Sequence, residues 1–322
     1  MNNNGMSRLK LEKKWILPSA PVDMNFQSAN PDVLCVGSVA PSEKKEGVSI
    51  SLDSSIKFSK LARPVAMESA DLNADGKLDL IICEFGNHTG KLAWYDGGDR
   101  LKENILLSRP GARKLEIVDL NKDGKLDLIV LMAQAQEGIY YFENLGKNKF
   151  KESVLINFPP VYGLSYFELV DFNKDGFLDI LLTNGDNWDL SRVKKNFHGV
   201  RIFMNNGRNQ FTQTFFFPLY GTSKALARDF DDDGDLDIAA ISFYDDLTKP
   251  EQGFIFFENT GNMQFAASTT PEAANGKWLT MEVADIDKDG DTDIVLGSFI
   301  YTFGEMTQLL MKGIEHFPQL LV

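Results

Sequence analysis

The sequence predicts an all-β fold, a β-propeller of four-stranded blades, and three observations carry that prediction. One acidic nine-residue pattern recurs five times along the chain, an apolar and partly β-branched run follows each copy, and a glycine-bounded strand stands between successive copies. Repeats of roughly 40–60 residues that each hold four short strands indicate the blades of a propeller.

The acidic copies are DLNADGKLD at 71–79, DLNKDGKLD at 119–127, DFNKDGFLD at 171–179, DFDDDGDLD at 229–237 and DIDKDGDTD at 285–293, with starts 48, 52, 58 and 56 residues apart. The runs behind them, LIICEF, LIVLMA, ILLTN, IAAISF and IVLGSF, read as strands buried on both faces. The segments 90–98, 138–146, 199–207 and 253–261 begin and end with Gly, and their Asn- or Asp-containing ends suit hairpin turns. In the last three a Phe (Phe150, Phe211, Phe265) follows four residues on, and a further strand and a loop then lead to the next acidic copy. Each unit therefore contains about four strands and no convincing helix.

A degenerate first unit precedes these. PDVLCVGS at 31–38 aligns with the strand behind the first acidic copy, and GVSISLDSS at 47–55 with the glycine-bounded strand. Met24, Phe26 and Ser28 then stand where the other units have acidic or amide groups, so no metal is expected there. The last unit stops near Val322 after about three strands, and Lys10–Leu17 reads as an orphan strand. Letting that strand complete the last blade would remove an open edge. The expectation is six blades, with seven left open, in one domain spanning 10–322 behind a tail at 1–9.

The acidic pattern is D-x-[DN]-x-D-G-x-x-D. Carboxylate or amide oxygens fall at positions 1, 3, 5 and 9, position 7 can offer a carbonyl, and the Gly at position 6 permits a sharp turn. Such hard-oxygen chemistry suits calcium. An EF-hand differs, since its last acid is at position 12 and helices flank it. Zinc is disfavoured because no Cys or His lies in the loops, and magnesium keeps more water. Asp, Asn and Gly also make plain polar turns, but five copies with matching oxygen positions weigh against that bland reading. Catalytic carboxylate pairs need environments tuned apart, whereas these loops are near copies. The ligand positions include 17 Asp, and five calcium ions would bring the formal charge from −13 to −3.

The 322 residues are 43% hydrophobic and 25% charged, which excludes disorder and collagen. At −13 the chain repels phosphate backbones, so no nucleic-acid partner is expected. Cys35 and Cys83 are too few for a disulfide framework and read as apolar thiols. No run approaches the ~18 apolar residues of a membrane helix, so no membrane insertion is expected. The first ten residues lack the apolar run of a signal peptide. Cytosolic calcium is nevertheless too scarce for loops of the ~10⁻⁴–10⁻³ M class, which points to an extracellular, cell-surface or periplasmic location.

With these motifs the chain resembles the FG-GAP/VCBS repeat family and the propellers of integrin α-subunits, over about residues 20–300. The literal FG-GAP string is poorly kept. The resemblance implies a β-propeller with calcium held between the first two strands of a blade. It places ligands on Asp71, Asn73, Asp75 and Asp79, on Asp119, Asn121, Asp123 and Asp127, and on Asp171, Asn173, Asp175 and Asp179. The same roles fall on Asp229, Asp231, Asp233 and Asp237 and on Asp285, Asp287, Asp289 and Asp293, with the position-7 carbonyls of Lys77, Lys125, Phe177, Asp235 and Asp291.

Opposite such loops lie the connections between second and third strands and between units, and loops carry function. They hold His88, Arg109, Arg113, Tyr162, Trp188, Arg192, His198, Tyr220, Tyr244 and Trp278 as candidate contacts for a protein or glycan ligand. The expected function is a calcium-binding extracellular adhesion or interaction module, a monomer or part of a larger multidomain chain. The alternative is a polysaccharide lyase or hydrolase on the same scaffold, for which His88, His198, Tyr162 and Arg192 are the candidate groups.

Overall fold

The computed structural model describes residues 23–26, 33–37, 47–51, 57–86, 88–186, 193–244, 246–300, 303–314 and 320–321. The tail at 1–9, the orphan strand at 10–17 and the pairing expected of it lie outside these residues, as do Trp188 and Arg192.

Among the described residues six antiparallel sheets follow one another, five of four strands and a last one of three. They comprise β1 (Asp23–Phe26), β2 (Val33–Gly37), β3 (Gly47–Ser51) and β4 (Lys57–Leu61); β5 (Pro64–Ala70), β6 (Asp79–Glu84), β7 (Lys91–Asp96) and β8 (Lys102–Leu107); and β9 (Ala112–Val118), β10 (Asp127–Met132), β11 (Gly138–Asn144) and β12 (Phe150–Asn157). Next come β13 (Leu164–Val170), β14 (Asp179–Asn184), β15 (Gly199–Asn205) and β16 (Phe211–Pro218); β17 (Thr222–Arg228), β18 (Asp237–Ser242), β19 (Phe254–Asn259) and β20 (Phe265–Ser268); and β21 (Trp278–Ala284), β22 (Asp293–Ser298) and β23 (Leu320–Leu321). Within each sheet every strand pairs with its sequence neighbours, the up-and-down order of propeller blades.

The apolar runs form the second strands as expected. Every residue of β6, β10, β14 and β18 is buried, whereas the fifth run falls short of the expectation: in β22 only Leu296 is buried, since β23 pairs with just Leu296 and Gly297. The first strands of successive sheets lie beside one another, β5 by β9, β9 by β13, β13 by β17 and β17 by β21. Charged pairs that no sequence pattern disclosed tie them together. Arg228 Nη1 lies 2.6 Å from Glu168 Oε1 and Lys224 Nζ 2.6 Å from Glu282 Oε1. Glu116, paired with Lys114 at 2.6 Å, also accepts the Leu169 N–H of the next sheet.

Two expectations are corrected. In the first unit, Phe26 pairs with Val33 and Met24 with Cys35, whereas in the second Ser69 pairs with Leu80 and Met67 with Ile82. Met24 and Phe26 are thus register equivalents of strand residues and not of loop ligands, while Ser28 lies outside the described residues. The units are also not free of helix. A four-residue turn of helix, α1 (Pro250–Gly253), precedes β19, and α2 (Phe303–Met311) is inserted between β22 and β23. Helix α2 presents Glu305 and Leu309 to the interior and leaves Phe303, Leu310 and Met311 exposed. Among the described residues no helix is long and apolar enough to cross a membrane.

Candidate metal centre

Each acidic pattern spans the turn between the first and second strands of its sheet, and its position-9 Asp opens the second strand. Position 6 must be glycine because φ there runs from +83° at Gly76 to +104° at Gly290. Position 4 is also left-handed although it is never glycine, with φ between 57° and 66° at Ala74, Lys122, Lys174, Asp232 and Lys288.

Hydrogen bonds hold this shape. In the first three loops the position-1 carboxylate accepts the N–H groups of positions 5 and 6, as Asp71 does from Asp75 (3.0 Å) and Gly76 (2.8 Å). The position-5 carboxylate accepts the N–H of position 7, at 2.9 Å in the first loop. Position 9 does something else. Asp79, Asp127, Asp179 and Asp237 are fully buried. Each turns one oxygen to the N–H of position 2 and the other to the hairpin joining the third and fourth strands, as Asp179 does to Phe172 (3.0 Å) and Asn205 (2.8 Å). Burial raises all four carboxyls above the ordinary Asp range, although the donated N–H bonds pull the other way. Position 9 is therefore a clamp that fastens the loop to its own sheet.

The loops differ in how well their remaining oxygens fit a cation. In the second, Lys125 Nζ sits 2.6 Å from Asp123 Oδ2 and lowers that carboxyl's pKa. In the third, Asn173 turns its amide nitrogen to Asp175 Oδ2 at 2.9 Å. In the fourth and fifth, the carboxylates of Asp229, Asp231 and Asp233 and of Asp285, Asp287 and Asp289 bring oxygens within 4.8 Å of one another. Position 7 there is Asp235 or Asp291 rather than a lysine. The Asp287 carboxyl is raised, first by desolvation and then by the charge of Asp289. Asp229 Oδ1 is buried and has no hydrogen-bond partner. The donor set fits a hard divalent cation best in these two loops.

The connections at the other end of the strands redistribute the ligand-face candidates. Trp278 is fully buried, its Nε1 donating to Ala273 O at 2.8 Å. His198 is fully buried as well. Its Nδ1 accepts the Gly221 N–H at 3.3 Å, and burial, helped by Lys195, pushes its pKa down to about 4. Tyr244 is 8% exposed. These three are too buried to meet a ligand at the surface as expected, and His198 is lost as a lyase base. Arg109 binds Glu152 at 2.8 Å and covers the Tyr140 ring, and Arg113 binds Asp186 at 2.8 Å. Tyr162 stacks on Phe197 at 4.7 Å between ring centroids, and Lys194 lies 4.9 Å over the Tyr220 ring. His88 is exposed.

Glu137, buried at this end after β10, carried no motif. It accepts the Leu164 N–H at 3.1 Å and lies near Arg113 and Asp186. Burial raises its pKa from 4.5 to about 7, against the pull of its backbone donors. The unfolded chain therefore loses this proton first, and the native state is destabilised as pH rises through that window. Glu137→Gln is expected to match the wild type at pH 5 and to be more stable than it by about 1–3 kcal/mol at pH 8, read by urea unfolding at both pH values. A difference independent of pH would contradict the assignment.

Six successive sheets, five of them with an acidic loop between their first two strands, define a repeat β-propeller module. The FG-GAP-like repeat model matches residues 71–130, 119–182 and 229–296, more than half of the 322 residues, and the chain belongs to that family. Among solved structures the chain is similar to one in the crystal structure of BBS1N in complex with ARL6DN soaked with mercury (14% identity, 72% of this chain and 59% of that one, TM-score 0.42). The lead-soaked crystal gives 14% identity, 72% and 61% coverage and a TM-score of 0.43. The chain thus spans about 60% of the length of those two chains. It is also similar to a chain in the complex of S. cerevisiae Dbp5 with Nup159, Gle1, IP6 and ADP (12% identity, 91% and 76% coverage, TM-score 0.46). No curated protein matches it.

Proposed function

We propose that the chain is a calcium-binding, extracellular adhesion or interaction module, whose acidic loops hold the metal and whose opposite end meets a protein or glycan. The observation that carries the metal is Asp229 Oδ1, a buried carboxylate oxygen without a donor, beside the converging oxygens of Asp231 and Asp233. A buried anionic oxygen left unpaired is costly, and a cation coordinated there removes the cost. Each of the five loops holds one ion, and in two of them the carboxylates of Asp229, Asp231 and Asp233 and of Asp285, Asp287 and Asp289 already converge on its place. The aromatic and cationic side chains of Tyr220 and Lys194 support a ligand role for the opposite end.

Calcium is expected to stabilise metal-free protein by about 2.7 kcal/mol per site at a hundredfold excess over Kd. This is read as a rise in Tm that excess chelator reverses. An unchanged Tm would sink the metal reading. A glycan array run beside an assay for unsaturated sugar products separates a binding module from a lyase.

A further inference from the structure

In two places a lysine from one acidic loop reaches into the next. Lys122, at position 4 of the second loop, donates to Gly176 O at 2.7 Å and lies 4.0 Å over the Phe177 ring. Lys174, at position 4 of the third, donates to Gly234 O and stands 3.6 Å from Asp235 Oδ1. Each accepting carbonyl belongs to the peptide joining positions 6 and 7. The N–H of that same peptide holds the position-5 carboxylate, from Phe177 to Asp175 at 2.8 Å and from Asp235 to Asp233 at 2.7 Å. One peptide plane thus links a lysine of one loop to a candidate metal ligand of the next, and hydrogen bonds in series strengthen one another.

We propose that the loops at 119–127, 171–179 and 229–237 fill with calcium as a coupled series, and that Lys122 and Lys174 carry the coupling. The proposal rests on the calcium reading. Each lysine stands between positions 3 and 5 of its own loop. A cation held by those positions fixes the backbone from which the lysine extends, and so presets the carboxylate of the next loop. The opposing effect is repulsion between ammonium and cation. Both lysines are exposed, so solvent and salt screen that repulsion and the ordering prevails. The first loop has Ala74 at this position and the fourth Asp232. Lys288 of the fifth makes no such contact among the described residues, which confines the series to three loops.

The test is a calorimetric calcium titration of the metal-free full chain, with far-UV circular dichroism to confirm that each variant folds. Wild type is expected to bind with a Hill coefficient above one. In the Lys122→Ala/Lys174→Ala double variant the coefficient should fall to one and affinity should weaken about fivefold, the lower end of usual coupling. Lys288→Ala should superimpose on wild type. Unchanged or tighter binding by the double variant overturns the coupling while leaving the metal reading intact. A wild type that binds no calcium removes both.

Discussion

Asp127→Ala is expected to destabilise the protein by about 3–5 kcal/mol, measured by denaturant unfolding in excess chelator so that no metal contributes. The fully buried Asp127 carboxylate answers three donors: Leu120 N–H at 3.2 Å, Asn144 N–H at 2.8 Å and the Tyr141 hydroxyl at 2.8 Å. Each buried donor left without an acceptor costs roughly 1–3 kcal/mol. Relief of the buried charge works in the other direction, since burial already raises this carboxyl's pKa. Three orphaned donors outweigh one partly compensated charge. The damage also spreads, because Asn144 Nδ2 donates to Leu72 O in the preceding sheet's loop at 2.8 Å and to Leu126 O at 3.0 Å. Asp127→Asn keeps the shape and one acceptor oxygen and should cost about 1–2 kcal/mol by the same reasoning. A loss below about 1 kcal/mol for the alanine variant would mean that water replaces the carboxylate, and the clamp would not be what holds the loop.

That clamp shows where sequence reasoning succeeds and where it stops. Positions 1, 5 and 6 act within their own loop, so spacing alone discloses the sharp turn at the glycine, where φ is +83° to +104°, though not that the carboxylates also gather neighbouring N–H groups. Position 9 reads as one more metal ligand because it is another Asp in phase, and its second role as a clamp is not legible in the spacing. Its hairpin donors, Gly97, Asn144, Asn205 and Asn259, lie 17 to 26 residues away. Only the assembled sheet brings them together. Distance in sequence also hid the lysines that cross between loops, 54 and 60 residues from their acceptors. Trp278 and His198 read as surface contacts because they stand in polar connections. Tertiary packing decides their burial, and no periodicity within a connection reports it. Helix α2 was missed for a further reason. Its inward positions include Glu305, while Phe303, Leu310 and Met311 face outward, so the apolar residues mark the wrong side for a helix read by its hydrophobic stripe.

The second large effect is expected in that helix. Lys277 and Glu305 are 1% and 3% exposed, with Nζ and Oε1 2.7 Å apart, and the ammonium lies 3.8 Å over the Phe243 ring. This pair pins α2 to the connection ahead of β21. Lys312 reinforces it at the other end by donating to Leu247 O and Ala274 O. Glu305→Ala leaves an ammonium in the interior without its carboxylate, and breaking a buried pair from one side typically costs about 3–5 kcal/mol. The aromatic ring offsets part of this, by about 2 kcal/mol at most for a desolvated cation–π contact, so the expected loss is about 2–4 kcal/mol. Replacing both partners, Lys277→Met with Glu305→Leu, removes the buried charges together and should leave stability near that of the wild type. The double-mutant cycle is the deciding measurement. Strong destabilisation in the single variant with recovery in the double assigns α2's attachment to the matched pair. Equal losses in both would show that packing around Leu309, and not the ion pair, holds the helix in place.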